Sequence, residues 1–305
     1  MTLTRRKEML FLYTVRDANP NGDPLNANHP RYDEETEQVL VSDVRIKRTI
    51  RDQWLRDGKP VFIDGEPKTL KDRFEELKKE TKKSSGREVM ALCLDTRLFG
   101  VTFALGKESF SWTGPVQFKW GRSLHAVTVD FVQGTSAFAT ESKDGEEKQQ
   151  RSFRNEYKVP FAVIAVYGIA NQFASKRTEA SDEDLDLLRD ALWQGTQNLI
   201  TRSKNEHKAV FYLEIVYKPD FTGKIGALDE KINLLNKTGE VLTRDDGRAI
   251  RSLKNCRVDI SELTDNLADY SQNIEKVLLK KDSNITIKDL DKLTSMELNV
   301  EIIQG

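Results

Sequence analysis

Cysteine and histidine are scarce in this chain of 305 residues. Cys93 and Cys256 are the only cysteines, which excludes a disulfide scaffold and a zinc ribbon built on cysteine ligands. The histidines are His29, His125 and His207, and no two of them share a local motif, which argues against a multi-histidine metal site. The sequence therefore predicts no bound metal and no cofactor.

Long hydrophobic runs are missing as well. The longest, 161–167, is far shorter than the ~20 residues that a membrane-spanning helix needs. The N-terminus is basic, but the apolar stretch that follows is too short for a signal peptide. We expect a cytoplasmic protein that makes no membrane contact.

Neither sign of charge dominates the chain. It has 48 lysines and arginines against 49 aspartates and glutamates, which gives a formal net charge of −1. This balance excludes a wholly basic nucleic-acid binder but permits a local basic stripe. Because hydrophobic residues make up 38% and charged residues 32%, we expect a substantial core beneath a highly charged surface. The length suits two domains, or one domain with large insertions.

The hydrophobic pattern predicts an α+β fold. In chain order it gives a strand at 9–15, a helix from 42 and an insertion at 59–94. Two strands follow at 116–120 and 126–132, and then a second insertion at 134–157. The pattern continues with a strand at 159–170, a helix from 181 and a strand at 209–217. This order approximates the split β-α-β unit of the ferredoxin-like or RRM-like sandwich. That architecture carries many functions and decides none of them alone.

A basic row lies on the first predicted helix. At 100° per residue, Lys47 and Arg51 follow one another on one face, with Arg48 beside them and Arg45 further round. Such spacing would direct several cations at successive phosphates of a nucleic-acid backbone. A solvated helix face explains the same row equally well.

Three further groups are candidate ligand contacts, and each has a simpler explanation. A rigid loop after the first strand could touch a ligand or be only a well-made turn; its residues are Asn19, Asn21 and Gly22. Cations beside aromatic residues could accompany stacked bases or simply flank the core; they are Arg97, Lys119 and Arg122. Two cations after the second helix could bind phosphate or only favour the helix C-terminus; they are Arg202 and Lys204.

Evidence for catalysis is poor. Candidate carboxylates near the presumed ligand face are Asp17, Asp23, Asp33 and Asp43, and the best-placed imidazole is that of His125. Acid–base chemistry needs two groups that converge on one bond, and no pair here has a diagnostic spacing. The chain has no P-loop, no G-x-S-x-G and no H-E-x-x-H motif. We predict that it is not an enzyme.

Several segments together resemble one family. They read NPNGDP at 19–24, RYD at 31–33, VSDVRIKRTIRD at 41–52, RLFG at 97–100, YKVPFA at 157–162, and GT at 195–196 followed by TRSK at 201–204. In this order and spacing they are similar to the backbone subunit of type I CRISPR surveillance complexes (Cascade), in the RAMP superfamily. The resemblance is to subtype I-B, with I-C relatives, and it is most specific between residues 8 and 217.

The resemblance implies a division of the chain into structural parts. An RRM-like palm would comprise 1–58 and 95–217, with a helical fingers insertion at 59–94. A protruding thumb hairpin would lie at about 134–157, and a helical or web-like C-terminal appendage at 218–305. The thumb would press between bases of the RNA, with Phe138 or Phe153 as the wedge.

The resemblance also implies a function in antiviral defence. About six copies would stack head-to-tail as a helical filament along the spacer of the CRISPR RNA and present it for pairing with a target DNA strand. Other expected partners are the large and small Cascade subunits, the RAMP subunit that binds the 5′ handle, and the guide-processing endonuclease. The RNA contacts would be Asn19, Asn21, Gly22, Arg45, Lys47, Arg48, Arg51, Arg97, Lys119, Arg122, Arg202 and Lys204.

Other readings of the sequence remain open. The related type III backbone subunits cut target RNA with a loop aspartate, so a metal-dependent endoribonuclease using Asp23, Asp33 or Asp43 is the main alternative. A guide-processing endoribonuclease is a second, although the glycine-rich loop and catalytic histidine usual in such enzymes do not occur after His207. An RRM-like RNA-binding monomer is a third.

Overall fold

The computed structural model describes residues 2–135 and 153–303. The strands, in chain order, are β1 (Lys7–Ala18), β2 (Tyr32–Asp33), β3 (Gln38–Val41), β4 (Gly100–Leu105), β5 (Glu108–Thr113), β6 (Val116–Phe118), β7 (Gly121–Ser123), β8 (Asp130–Thr135), β9 (Phe153–Ala170), β10 (His207–Tyr217), β11 (Asn233–Leu235), β12 (Arg257–Asp259), β13 (Ile274–Lys281), β14 (Ile287–Lys288) and β15 (Val300–Ile302). The α-helices are α1 (Asp43–Arg56), α2 (Leu70–Thr81), α3 (Gly86–Leu92), α4 (Leu94–Phe99), α5 (Gln172–Thr178), α6 (Asp182–Gln197), α7 (Arg244–Ala249), α8 (Ser261–Asp269) and α9 (Leu290–Thr294).

One large, mostly antiparallel sheet organises the fold. Its order is β15-β13-β10-β1-β9-β7-β3-β2, and β6 and β8 also pair with β9. Strand β1 lies between β10 and β9 and is antiparallel to both. Because β1 is covered on both faces, its residues from Lys7 to Val15 are all buried. The mixed α/β class expected from the sequence is confirmed.

Helices α1 and α6 cover one face of this sheet. Ser42 is the N-cap of α1, and Ser181 begins α6 with a capping box in which its hydroxyl accepts from the Asp184 amide. The core between these helices and the sheet includes Ile50, Trp54 and the leucines of α6. Both helix starts lie where the sequence predicts them.

The C-terminal segment covers the opposite face. Leu10, Leu12 and Phe161 of the sheet pack there against apolar residues between 228 and 293. A buried carboxylate, that of Glu8, ties this segment to the sheet. It accepts from the backbone amides of Ile225 (2.8 Å) and Gly226 (2.7 Å), and from the hydroxyls of the two buried tyrosines, Tyr167 and Tyr217.

A third apolar cluster is formed by α2, α3 and the β4–β5 hairpin. Phe103 lies at its centre, 5.3 Å from the Phe74 ring and 5.2 Å from the Phe110 ring between centroids. The Asp95 carboxylate connects this cluster to α1. It accepts from the Phe62 amide at 2.7 Å, from the Ile63 amide and from the Arg51 guanidinium.

The strands around the predicted thumb differ from the sequence expectation. The strand predicted at 126–132 begins only at Asp130, because the preceding residues leave the ladder: the Val127 amide donates to the Glu37 carbonyl instead. Strand β9 begins at Phe153 rather than at 159 and pairs with β8 as one arm of a hairpin. Within residues 2–135 and 153–303, no helix is long and apolar enough to cross a bilayer.

Candidate nucleic-acid interface

Two of the predicted basic contacts on α1 are buried. The Lys47 ammonium lies 3.2 Å from Asp43 and 3.2 Å from the Gln117 side-chain oxygen, over the Phe99 ring. The Arg51 guanidinium donates to the fully buried Asp95 carboxylate at 2.9 Å. Both cations are therefore neutralised within the fold.

Four other predicted contacts also lie beside carboxylates. Arg48 is 2.6 Å from Asp52, Arg97 grips both oxygens of Asp184, Lys119 lies between Asp229 and Glu230, and Arg122 is 3.0 Å from Asp33. The Arg97 pair is bidentate and largely buried, whereas the Arg122 side chain is 44% exposed. A role in RNA binding for these residues remains a prediction from the sequence.

Four other predicted contacts share one cleft, where β1 ends. The Asn19 amide donates to the Ser203 carbonyl at 2.8 Å, and an isolated bridge between Thr201 and Lys204 closes the turn after α6. The cleft has a volume of about 390 Å³. Its lining residues are Asn19, Gly22, Asn28, Asn155, Glu156, Tyr157, Arg202, Ser203 and Lys204.

The loop after β1 is held in place by Asn21. Its side-chain oxygen accepts from the Ser42 amide at 2.8 Å and from the Ser42 hydroxyl at 2.9 Å, so the loop is fastened to the start of α1. Gly22 follows, and apart from Gly22 and its two chain neighbours, no atom of the described residues lies within 4 Å of the position where a Cβ would stand. The backbone is therefore open to close approach at Gly22, on the rim of the cleft.

The cations at this cleft lack the compensation found elsewhere. Arg202 is exposed, and within the described part of the chain no carboxylate pairs with it or with Lys204. Burial and the nearby Arg45 guanidinium lower the pKa of Lys204, and burial lowers the pKa of Arg45. The nearest carboxylate to Arg45 is Asp52, at 4.0 Å. Partly buried cations that disfavour one another form a site that an anion would stabilise.

Aromatic rings that the sequence analysis missed lie beside the cleft. The Tyr157 ring is 4.8 Å from His29 and 5.1 Å from Phe131 between centroids, and Phe131 is 52% exposed. An aromatic residue in the strand before a polar hairpin is the signal that could have drawn attention to Phe131. Of the predicted wedge residues, Phe138 lies outside the described residues.

Phe153, the other predicted wedge, begins β9 and pairs with Thr135 across the hairpin. Its backbone therefore lies at the end of the described part of the predicted thumb. A role for Phe138 or Phe153 as the wedge between bases remains a prediction.

The candidate catalytic groups are engaged in local structure. Asp23 accepts from the Leu25 amide and the Asn26 side chain, which lower its pKa; Arg122 does the same for Asp33. The His125 ring is buried, and its Nδ1 lies 2.9 Å from two backbone carbonyls. Among residues 2–135 and 153–303, no three histidine, cysteine, aspartate or glutamate side chains are grouped so as to hold a metal ion.

The molecule is thus a mixed α/β protein with a polar cleft, lined by Arg202 and Lys204, at the end of β1. The sequence model of the family described as CRISPR-associated protein Cas7 matches residues 5–261. The chain belongs to this family, which confirms the family resemblance seen in the sequence motifs, while the subtype stays a prediction from the sequence.

One curated relative and two solved structures extend this finding. CRISPR-associated protein Cas7 of Haloferax volcanii is 26% identical over 318 residues, which cover 94% of this chain and 90% of the relative. A chain of a CRISPR RNA-guided surveillance complex, pre-nicking, has a TM-score of 0.57 at 13% identity and covers 98% of this chain and 96% of its own length. A chain of a CRISPR RNA-guided surveillance complex has a TM-score of 0.52 at 13% identity, covering 93% and 94%. At these identities the likeness to the solved structures concerns the fold.

Proposed function

We propose that this protein is the guide-binding backbone subunit of a type I CRISPR surveillance complex. Copies of the chain polymerise head-to-tail along the spacer of the CRISPR RNA and display it for pairing with a target DNA strand. Membership of the Cas7 family and the similar fold of chains from RNA-guided surveillance complexes support this proposal. The subunit carries no reaction of its own and works in the cytoplasm with the other Cascade subunits.

The observation that carries this proposal is the pair of cations that line the cleft. Most cations that were candidate contacts form an ion pair, but within residues 2–135 and 153–303 neither Arg202 nor Lys204 does. A phosphodiester group between them would supply the missing anion and restore the ordinary pKa of Lys204. The open backbone at Gly22 would let the strand pass close to the loop.

The assignment of structural parts belongs to the same proposal. The sheet order β10-β1-β9-β7, with α1 and α6 on one face, supports an RRM-like palm. The α2–α3 cluster would be the fingers, the β8–β9 hairpin the base of the thumb, and the segment from 218 the appendage.

The predicted contacts fall into two groups. Asn19, Gly22, Arg202 and Lys204 line the cleft, and we propose that they touch the RNA. Asn21 positions the loop, and Arg45 adds positive potential at Lys204. The proposal does not rest on the cations that face carboxylates, namely Lys47, Arg48, Arg51, Arg97, Lys119 and Arg122.

A charge-removal experiment tests the cleft. In Arg202→Gln/Lys204→Gln the affinity for a CRISPR RNA should fall, and the slope of log K against log salt should become shallower by about 1.4, since each lost contact to a single strand removes about 0.7. The matched control is Lys71→Gln/Lys79→Gln, which removes the same charge from the exposed side of α2. An equal slope in wild type and cleft variant would exclude this cleft from the RNA path.

Assembly is tested separately. Mass photometry of the protein with CRISPR RNAs of increasing spacer length should give multiples of 34.9 kDa that grow with the spacer. A single copy on RNA of every length would contradict the backbone role. Regular cuts in complementary RNA in the presence of Mg²⁺ would favour the endoribonuclease alternative.

A further inference from the structure

A second basic groove lies on the other face of the sheet. It has a volume of about 290 Å³. Its lining residues are Thr14, Arg16, Phe161, Glu206, Lys208, Ser252, Leu253, Lys254 and Asn284. Thr14 and Arg16 follow Leu10 and Leu12 on alternate positions of β1, which places this groove on the face covered by the C-terminal segment.

Cations outnumber carboxylates at this groove. Arg16 is exposed, and its guanidinium donates to the Arg251 carbonyl at 3.2 Å. Arg251 and Lys254 are exposed too, and within the described residues none of these three side chains pairs with a carboxylate. Lys208 adds a fourth cation, which Asp282 holds at 2.8 Å.

The carboxylates at the rim are Asp282 and Glu206. They offset two of the four positive charges and leave a surplus of two. Thr14 and Ser252 also line the groove, and hydroxyl groups such as theirs can donate to phosphate oxygens. Surplus cations with neutral donors favour a nucleic-acid backbone over an apolar partner.

The groove is close to the cleft at Arg202 and Lys204. The same turn forms a border of both: the Arg16 amide donates to the Glu206 carbonyl at 3.0 Å, and the Asn19 amide to the Ser203 carbonyl at 2.8 Å. Arg16 and Asn19 are three positions apart, about 10 Å along the chain at 3.3 Å per residue. That distance corresponds to about three stacked nucleotides at 3.4 Å each.

We propose that this groove is a second phosphodiester site, so that nucleic acid bound at the cleft continues around the end of the sheet onto the opposite face. The inference rests on the proposed function, because the strand it extends is the one bound at the cleft. The phosphates could belong to the guide RNA itself or to the strand paired with it. The two sources share one chemistry, and an experiment separates them.

The variant Arg16→Gln/Lys254→Gln tests the groove, with Lys71→Gln/Lys79→Gln as the matched control. In the part of the chain that the structure describes, neither Arg16 nor Lys254 pairs with a carboxylate, so their loss should not unfold the chain. In one arm the salt dependence of CRISPR RNA binding is measured. In the other, a complementary DNA strand is added to the guide-loaded protein.

A slope shallower by about 1.4 in the first arm would assign the groove to the guide. A shallower slope in the second arm alone would assign it to the paired strand. Slopes unchanged in both arms would overturn the inference, and a change only in the copy number per RNA would overturn it in favour of a contact between copies. If Arg202→Gln/Lys204→Gln still reduces RNA binding, the proposed function stands in either case.

Discussion

Replacing Arg51 by methionine separates a structural role of this cation from a role in RNA binding. The Arg51 side chain is 11% exposed, its Nε donates to Asp95 at 2.9 Å, and its guanidinium lies 5.3 Å from the Phe99 ring centroid. Methionine retains much of the apolar stem but leaves the Asp95 charge without a cation. We therefore expect Arg51→Met to affect folding first and RNA binding only as a consequence.

The magnitude follows from the burial of Asp95. Removing one partner of a buried ion pair costs about 3–5 kcal/mol, because the other charge stays behind uncompensated. Two backbone amides, those of Phe62 and Ile63, still donate to Asp95, so the cost should lie near the lower limit, at about 3 kcal/mol. This is a large part of the 5–15 kcal/mol that typically holds a domain together.

Urea unfolding followed by tryptophan fluorescence measures this cost, and Trp54, stacked 5.7 Å from Phe99, lies close to the change. The double variant Arg51→Met/Asp95→Asn should recover part of the loss, since it removes the orphaned charge. A loss below about 1 kcal/mol for Arg51→Met, together with a shallower salt slope of RNA binding, would refute the structural reasoning. Arg51 would then be a phosphate contact, as the helical spacing suggests.

Three further predictions concern buried polar groups. Glu8→Gln should loosen the C-terminal segment at Ile225, because a neutral side-chain amide cannot accept from all four groups that now donate to the Glu8 carboxylate. Hydrogen exchange of the 225 and 226 amides should become faster, and the free energy of unfolding should fall by about 2 kcal/mol. Burial and the nearby Lys204 and Arg45 lower the pKa of His207 to about 3. Since the unfolded chain takes up this proton near pH 6.5 and the folded chain does not, full stability should be present above pH 6.5. The free energy of unfolding should fall by up to about 1.4 kcal/mol per pH unit as the pH drops towards 3. In urea titrations this decline should be shallower for His207→Gln than for the wild type, and an equal decline would contradict the prediction. Burial raises the pKa of Cys93 to about 12 and of Cys256 to about 11, so both thiols should react with iodoacetamide at pH 8 only after unfolding, and rapid native labelling would contradict their burial.

Local signals explain why so much of the scaffold could be predicted from the sequence. The start of α6 is a capping box within four residues, and the buried position of β9 in the sheet follows from the apolar run within it. These patterns depend on neighbours along the chain, which a single sequence displays directly. The predicted boundaries shifted where tertiary pairing decides them, as at β8, whose start depends on its register with β9.

The candidate site was harder to predict because its charges are balanced at long range. Arg51 and Asp95 are 44 positions apart, and Arg97 and Asp184 are 87 apart. Helical spacing places a lysine or arginine on a face but does not reveal which distant carboxylate will meet it. Sequence reasoning could therefore name the candidate cations but could not tell which of them pair with a distant carboxylate in the fold.

The division between paired and unpaired cations shows how a chain with a net charge near zero could bind a polyanion. A chain with 48 cations and 49 anions can attract a polyanion only where the two signs are unevenly distributed. Among the described residues, carboxylates pair closely with Lys47, Arg48, Arg51 and Arg97, whereas none pairs with Arg202 or Lys204 on one side of a turn or with Arg16 or Lys254 on the other. Both pairs of cations border the same turn, and removing one pair should not abolish the attraction of the other pair for nucleic acid. The effects of the two pairs on the slope of log K against log salt should therefore add, and in the quadruple variant this slope should be shallower by about 2.8. A change in slope no greater than that of either double variant would mean that the two sites never bind one continuous nucleic-acid strand.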